Sequence, residues 1–113
     1  MTQLAERNLD TVAAEQQLAA SAATSGRAAV TVFGGSAQVL RQTVIALTAG
    51  SVLAEHENPG EATLLVLSGQ VQLVAGPVVA SGTAGDLLVV PQERHRLEAI
   101  EDSAVLLTVA KLP

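Results

Sequence analysis

Residues 50–69 read GSVLAEHENPGEATLLVLSG, and this stretch decides how the rest of the chain is interpreted. It has a glycine at each end and a histidine, His56, just before the turn formers Asn58, Pro59 and Gly60. The residues after this turn are rich in Thr, Leu and Val, which favour strands. The stretch therefore predicts two short strands joined by a tight turn.

Short apolar runs separated by turn residues continue on both sides of this stretch. Ser68-Gly69 is the strongest predicted hairpin, because glycine can supply the positive φ that a two-residue loop needs. Regularly spaced short strands without intervening helices indicate an all-β sandwich or barrel. The predicted strands are residues 29–33, 38–47, 52–55, 63–67, 71–74, 78–80, 87–90, 95–99 and 104–110.

The N-terminal part of the chain has a different composition. Residues 2–20 are rich in Ala, Leu, Glu and Gln and contain no Gly or Pro, which predicts a helix. Its apolar stripe is weak, so we expect it to pack on its own barrel or on a second protomer. The predicted organisation is a helical extension and linker over residues 1–28 and a β-barrel over residues 29–113.

The composition excludes several classes of function. A chain of 113 residues fits one domain, and the absence of cysteine excludes disulfides, zinc-thiolate sites and thiol nucleophiles. The net charge of −5 and the single aromatic residue, Phe33, argue against nucleic-acid partners. No apolar run approaches the roughly 20 residues of a membrane span, and the first residues show no targeting pattern. We therefore expect a cytoplasmic protein with no membrane partner.

Two segments carry a resemblance to a known family. Residues 50–69 resemble the first motif of the cupins, in which glycines flank a His-X-His pair and a following acid. Residues 85–99, GDLLVVPQERHRLEA, resemble the second cupin motif through Gly85, Pro91 and His95. The likeness covers roughly residues 38–111 and is to small single-domain bacterial cupins of unassigned function. It implies an all-β, RmlC-like jelly-roll barrel, a double-stranded β-helix, with a short N-terminal α-helix.

The resemblance also implies a metal site, which this sequence carries only in part. The ligand positions of metal-binding cupins fall on His56, Asn58, Ala62 and His95, and alanine cannot bind a metal. An alternative stays open, because a bulge at the turn before β-strand residues 63–67 would bring Glu61 inward beside the two histidines. Two imidazoles and one carboxylate suit zinc, nickel, iron or manganese.

Strand alternation predicts the lining of the barrel interior. If Ala62 faces inward, Leu64 and Val66 face inward too and Glu61 faces outward. The predicted pocket is aliphatic with few polar groups, which suits a small apolar molecule. Its residues are His56, Asn58, Ala62, Leu64, Val66, His95 and Leu97.

The leading hypothesis is a small-molecule binding or sensing cupin with a degenerate metal site, no catalytic residues, no cofactor and no turnover. The alternative is a metal-dependent oxygenase or isomerase that uses His56, His95 and Glu61. A third reading is a structural unit whose interior is filled by its own side chains. Each histidine also has a purely structural interpretation, and Asn58 before Pro-Gly is ordinary turn chemistry.

We also expect a homodimer. A small barrel leaves open sheet edges, and outer-face side chains such as Leu65 and Leu67 need covering.

Overall fold

The structure is a computed structural model that describes residues 6–56 and 60–111. Within these residues one helix precedes nine strands. All nine predicted strands are confirmed, with most ends shifted by a few residues. The helix is confirmed too, although it begins at Leu9 rather than near residue 2. The elements are α1 (Leu9–Ala22), β1 (Arg27–Phe33), β2 (Leu40–Leu47), β3 (Val52–His56), β4 (Gly60–Ser68), β5 (Gln70–Ala75), β6 (Val78–Thr83), β7 (Leu87–Val90), β8 (His95–Ala99) and β9 (Ser103–Lys111).

The strands form two antiparallel sheets. The five-stranded sheet has the order β1-β2-β9-β4-β7, and the four-stranded sheet has the order β3-β8-β5-β6. From β2 onward the chain crosses between the sheets at every connection except the one from β5 to β6. This topology is the predicted all-β jelly roll. The inner faces share one aliphatic core, made of Ile45, Leu47, Ala62, Leu64, Val66, Val71, Leu73, Leu88, Val90, Leu97, Ala99 and Val105.

The predicted hairpin at Ser68-Gly69 is wrong. Gly69 does adopt a positive φ of 82°. The turn nevertheless joins β4 in one sheet to β5 in the other, so it is a corner between sheets. The hairpin within the segment lies at the next turn, where Ala75 pairs with Val78 across Gly76. A turn signal predicts the change of direction, whereas the pairing of strands depends on residues far along the chain.

Helix α1 packs on the outer face of the five-stranded sheet. Asn8 precedes the helix as its N-cap, and its side-chain oxygen accepts a hydrogen bond from the Thr11 amide at 2.9 Å. Val12 and Ala13 are buried against side chains of β2 and β9. Along the helix, Gln17 donates a hydrogen bond to the Ser68 hydroxyl at 2.8 Å. The helix therefore packs on its own barrel, and the described residues include no helix long and apolar enough to span a membrane.

The position of α1 corrects one argument for a dimer. Leu65 and Leu67, expected on an uncovered outer face, pack against the same apolar cluster as the helix. These two side chains therefore need no partner subunit. The exposed large apolar side chains lie mostly elsewhere, for example Leu87 and Val89 on β7 and Val78 on β6.

Candidate functional site

The two motifs meet at one end of the barrel. β3 ends at His56 and β4 begins at Gly60, so both lie at the same end. Gly60 pairs with Lys111 at the end of β9, and Leu40 at the start of β2 pairs with Ala110 beside it. β7, which pairs with the first half of β4, leads through a short turn into His95. We call this the open end of the barrel.

His95 is held inside the open end by a backbone contact. Its side chain is buried, with 4% of the residue exposed, and its Nδ1 lies 2.8 Å from the Glu93 carbonyl oxygen. A carbonyl only accepts hydrogen bonds, so Nδ1 is the donor and carries the proton. In the neutral ring Nε2 is then the unprotonated nitrogen. A backbone carbonyl on one ring nitrogen is a common way to orient a histidine whose other nitrogen binds a ligand.

The backbone of β3 places residue 56, the other histidine position, opposite His95. Leu53 pairs with Leu97, and regular pairing from there would place Glu55 opposite His95. A register shift after Leu53 places His56 there instead. A bulge of this kind re-aims a strand and is frequent beside functional sites. Asn58, the other predicted polar group, lies outside the described residues.

Strand β4 presents an alanine where the resemblance implies a ligand. Ala62 faces the interior and is 9% exposed. Glu61 is exposed and pairs with Ala110 on the outer face of the sheet. The pairing of β4 with β9 is regular from Gly60 to Val66, so no bulge reverses this alternation. The interpretation in which Glu61 turns inward beside the histidines is therefore wrong.

The described residues do not fit a complete metal site. His95 offers one imidazole, the backbone places residue 56 opposite it, and the inward methyl group of Ala62 offers no donor atom. In the parts of the chain that the structure describes, no three His, Cys, Asp or Glu residues are grouped so that they could hold a metal ion. This donor set is weaker than the three protein ligands typical of catalytic zinc sites.

The inner face of the five-stranded sheet changes character along the barrel. Within the core, Ile45 pairs with Val105, which pairs with Val66. The next row outward pairs Thr43, Leu107 and Leu64, and the row after that pairs Arg41, Val109 and Ala62. Lys111 opposite Gly60 completes the rim. The interior thus runs from an aliphatic floor to a cationic rim at the open end.

A cavity of about 190 Å³ lies along this gradient. Among the described residues it is lined by Arg41, Thr43, Leu107, Val109 and Lys111. Sequence reasoning missed all five. The signal was available, because Arg41 and Thr43 continue the alternation of the buried Ile45, and Lys111 continues that of Val105.

Three predicted pocket residues belong to the core instead. Leu64, Val66 and Leu97 face inward as expected, but each is at most 4% exposed and packed within the aliphatic cluster. They form the floor beneath the cavity. The cavity itself is bordered by the rows nearer the open end.

A larger groove lies outside the barrel. It has a volume of about 380 Å³ and runs along the β4–β7 edge beside Glu61, Val89 and Gln92. Its described lining includes Glu61, Thr63 and Val89, which occupy the outward-alternating positions of β4 and β7, and none of the cations of the rim. We therefore place the candidate site in the open end, where both motifs converge.

Together, the fold and the site define a jelly-roll barrel with a ligand-sized cavity at one end. No protein-family model and no curated protein sequence matches the chain. Solved structures do match it, and several of them are described as cupins or RmlC-like cupins. The chain is a small cupin-domain protein.

Two of these structures cover most of the chain. One is a conserved protein of unknown function from Streptococcus pyogenes, with a TM-score of 0.71, 27% identity and coverage of 80% of this chain and 79% of that one. The other is an RmlC-like cupin from Desulfovibrio desulfuricans, with a TM-score of 0.66, 27% identity and coverage of 74% and 81%.

An enzyme is also among the similar structures. A variant of salicylate 1,2-dioxygenase from Pseudoaminobacter salicylatoxidans, in complex with gentisate, matches with a TM-score of 0.74 and 21% identity. The match covers 90% of this chain and 31% of the dioxygenase chain. At this identity the likeness shows the fold alone.

Proposed function

We propose that this cupin binds a small molecule in the open end of its barrel and does not turn it over. Two observations together carry the proposal: the barrel has a cavity at its open end, and Ala62 faces the interior. The cavity provides space for a ligand at the open end. Ala62 lacks a donor atom at the position where the resemblance to metal-binding cupins implies one. Binding is thus supported more strongly than metal-dependent catalysis.

The size of the cavity limits the ligand. A cavity of about 190 Å³ is slightly larger than the apolar cavity of about 150 Å³ that admits benzene in an engineered protein. Leu107 and Val109 give it aliphatic walls. We expect a compact molecule of about that size, with a branched aliphatic or single-ring body.

The binding test uses two phenylalanine substitutions on opposite faces. Val109→Phe fills the cavity, whereas Val89→Phe changes a side chain that is 75% exposed on the outer face of β7. Titration calorimetry with 4-methylpentanoate, 4-methylpentanamide, benzoate and benzamide should detect binding to the unmodified protein. Val109→Phe should abolish it and Val89→Phe should preserve it. The proposal is wrong if none of the four binds, or if Val89→Phe alone removes binding.

Metal content separates this function from the enzymatic alternative. Elemental analysis of protein purified without chelator should show less than stoichiometric metal, because only two imidazole positions converge. Ala62→His should raise the affinity for Zn²⁺, whereas Thr63→His, on the outward-alternating position, should not. A stoichiometric metal that resists dialysis would mean that a further group completes the site, and a metal-dependent oxygenase or isomerase would replace the binding module.

The homodimer remains part of this proposal. β6 and β7 are sheet edges, and Val78, Leu87 and Val89 on them are each at least 60% exposed. Exposed apolar edges favour association. Light scattering coupled to size exclusion should give twice the chain mass, and a monomer at micromolar concentration would contradict the prediction.

A further inference from the structure

The cations at the rim of the cavity indicate the chemistry of the ligand. We propose that the open end takes a small carboxylate, whose charged group lies between Arg41 and Lys111 and whose apolar body lies against Leu107 and Val109. This inference rests on the proposed function, because it names the class of molecule that the same cavity binds. It also differs from the small apolar molecule expected from the sequence.

The strand register places both cations on the inner face. Arg41 pairs with Val109, which follows the inward alternation of β9 from the buried Val105. Lys111 is the next inward position of β9 and pairs with Gly60. Because glycine has no side chain, the lysine side chain has space on that side. Two flexible cationic chains therefore border one cavity from neighbouring strands.

Two cations at one small cavity contrast with the acidic composition of the chain as a whole. The chain has 11 acidic and only 6 basic side chains, yet 2 of those basic ones line this small cavity. Its described lining contains no acid. Within residues 6–56 and 60–111, neither Arg41 nor Lys111 has an ion-pair partner, in contrast to Arg96, whose Nε lies 2.6 Å from Glu98 Oε2. Two neighbouring cations repel each other, and a bound anion relieves that repulsion.

The chemistry of the two cations suits a carboxylate. The guanidinium of arginine presents two parallel donors that match a carboxylate, and a lysine ammonium adds a point charge. Thr43 marks the boundary between the cationic rim and the aliphatic walls, since it lies one inward row below Arg41. A monocarboxylic acid with a short apolar body would place its carboxylate against the two cations and its body against the aliphatic walls.

The test compares an acid with its amide, which has nearly the same shape and no charge. The unmodified protein should bind 4-methylpentanoate at least about tenfold more tightly than 4-methylpentanamide at low ionic strength. Added salt should narrow the difference, because Arg41 is exposed to solvent. Arg41→Gln and Lys111→Gln should each weaken binding of the acid severalfold and leave the amide unchanged. Arg7→Gln, which removes a charge before α1 outside the barrel, should change neither.

The outcomes separate this inference from the proposed function. If acid and amide bind equally and Val109→Phe abolishes both, the cavity is the ligand site but the carboxylate assignment is wrong. If inorganic phosphate binds as tightly as the acid and depends on the same two cations, the site is a general oxyanion site and the assignment is again wrong. If neither acid nor amide binds, both the proposed function and this inference fail.

Discussion

The two ends of the barrel are built from the same strands but differ in what their side chains do. At the closed end, around Ser103, the buried side-chain polar atoms of the described residues have hydrogen-bond partners. The Ser103 hydroxyl is fully buried, accepts from the Gln70 amide at 3.0 Å and donates to the Glu101 carbonyl at 2.7 Å. The Asp102 carboxylate accepts from the Ala49 amide at 2.8 Å, which fixes a neighbouring turn.

The open end lacks this kind of closure. Its inner rows carry Thr43, Arg41 and Lys111 above half-buried Leu107 and Val109, and they border a cavity. The comparison shows that one alternating pattern supplies stability at one end and a binding surface at the other. Substitutions at the closed end should therefore reduce stability, and substitutions at the open end should reduce binding.

The largest contrast is expected between two leucines. Leu47→Ala removes a side chain that is 1% exposed in the core and should lower the free energy of unfolding by about 3–5 kcal/mol. Leu107→Ala, beside the existing cavity, should cost only about 1–2 kcal/mol because less surface is lost from contact. Urea unfolding of both variants measures the difference. Equal losses would contradict the distinction between the two ends.

The next effect concerns two glycines with nearly equal backbone angles. Gly69 at the closed end has φ of 82° and Gly50 has φ of 84°. A Cβ on Gly69 would meet the Asp102 carbonyl oxygen and the Ser103 hydroxyl, whereas one on Gly50 would meet nothing within 4 Å. Gly50→Ala should cost about 1 kcal/mol from the backbone alone, and Gly69→Ala should cost more than about 2 kcal/mol. Thermal unfolding of the pair isolates the contribution of the close packing, and similar losses would refute it.

Removing the buried hydroxyl should have an intermediate effect. Ser103→Ala leaves the Gln70 amide without its side-chain acceptor and should cost about 1–3 kcal/mol. Ser81→Ala, at an exposed position of β6, should stay within about 0.5 kcal/mol of the unmodified protein. Chemical unfolding of both variants provides the check, and a neutral Ser103→Ala would show that the closed end does not depend on this hydroxyl.

The smallest effect is expected outside the barrel. Asn8→Ala removes the cap of α1 and should cost about 1 kcal/mol, while Asn8→Asp should retain the acceptor and the stability. Binding at the open end should be unchanged in both variants, as judged by calorimetry. A loss of binding in Asn8→Ala would show that the helix supports the cavity.

The sequence predicts most of the fold because strands and turns have local signals. β7 and β8 match their predicted ends, since turn residues flank them at Gly85-Asp86, Pro91 and Glu101-Asp102. Strand partners are not local, and for that reason the corner at Gly69 resembled a hairpin. The resemblance to cupins supplied the jelly-roll fold class, which local patterns alone left as a sandwich or barrel.

The candidate site was less predictable for the same physical reason. Ala62 and His95 face inward as alternation requires, and Glu61 faces out. The opposition of His56 to His95 depends on a one-residue register shift that no turn residue marks. Arg41 and Lys111 were missed because alternation was followed only along the two motif segments, although it extends from Ile45 to Arg41 and from Val105 to Lys111.

The most direct test of the account is a map of backbone amide chemical shifts during titration with 4-methylpentanoate. If the open end is the binding site, the largest changes should fall on Arg41, Thr43, Leu107 and Val109. Amides near Gly69 at the closed end should change little. Changes concentrated at the closed end or along the outer groove beside Val89, or no saturable changes at all, would contradict the claim that this cupin binds its ligand in the open end.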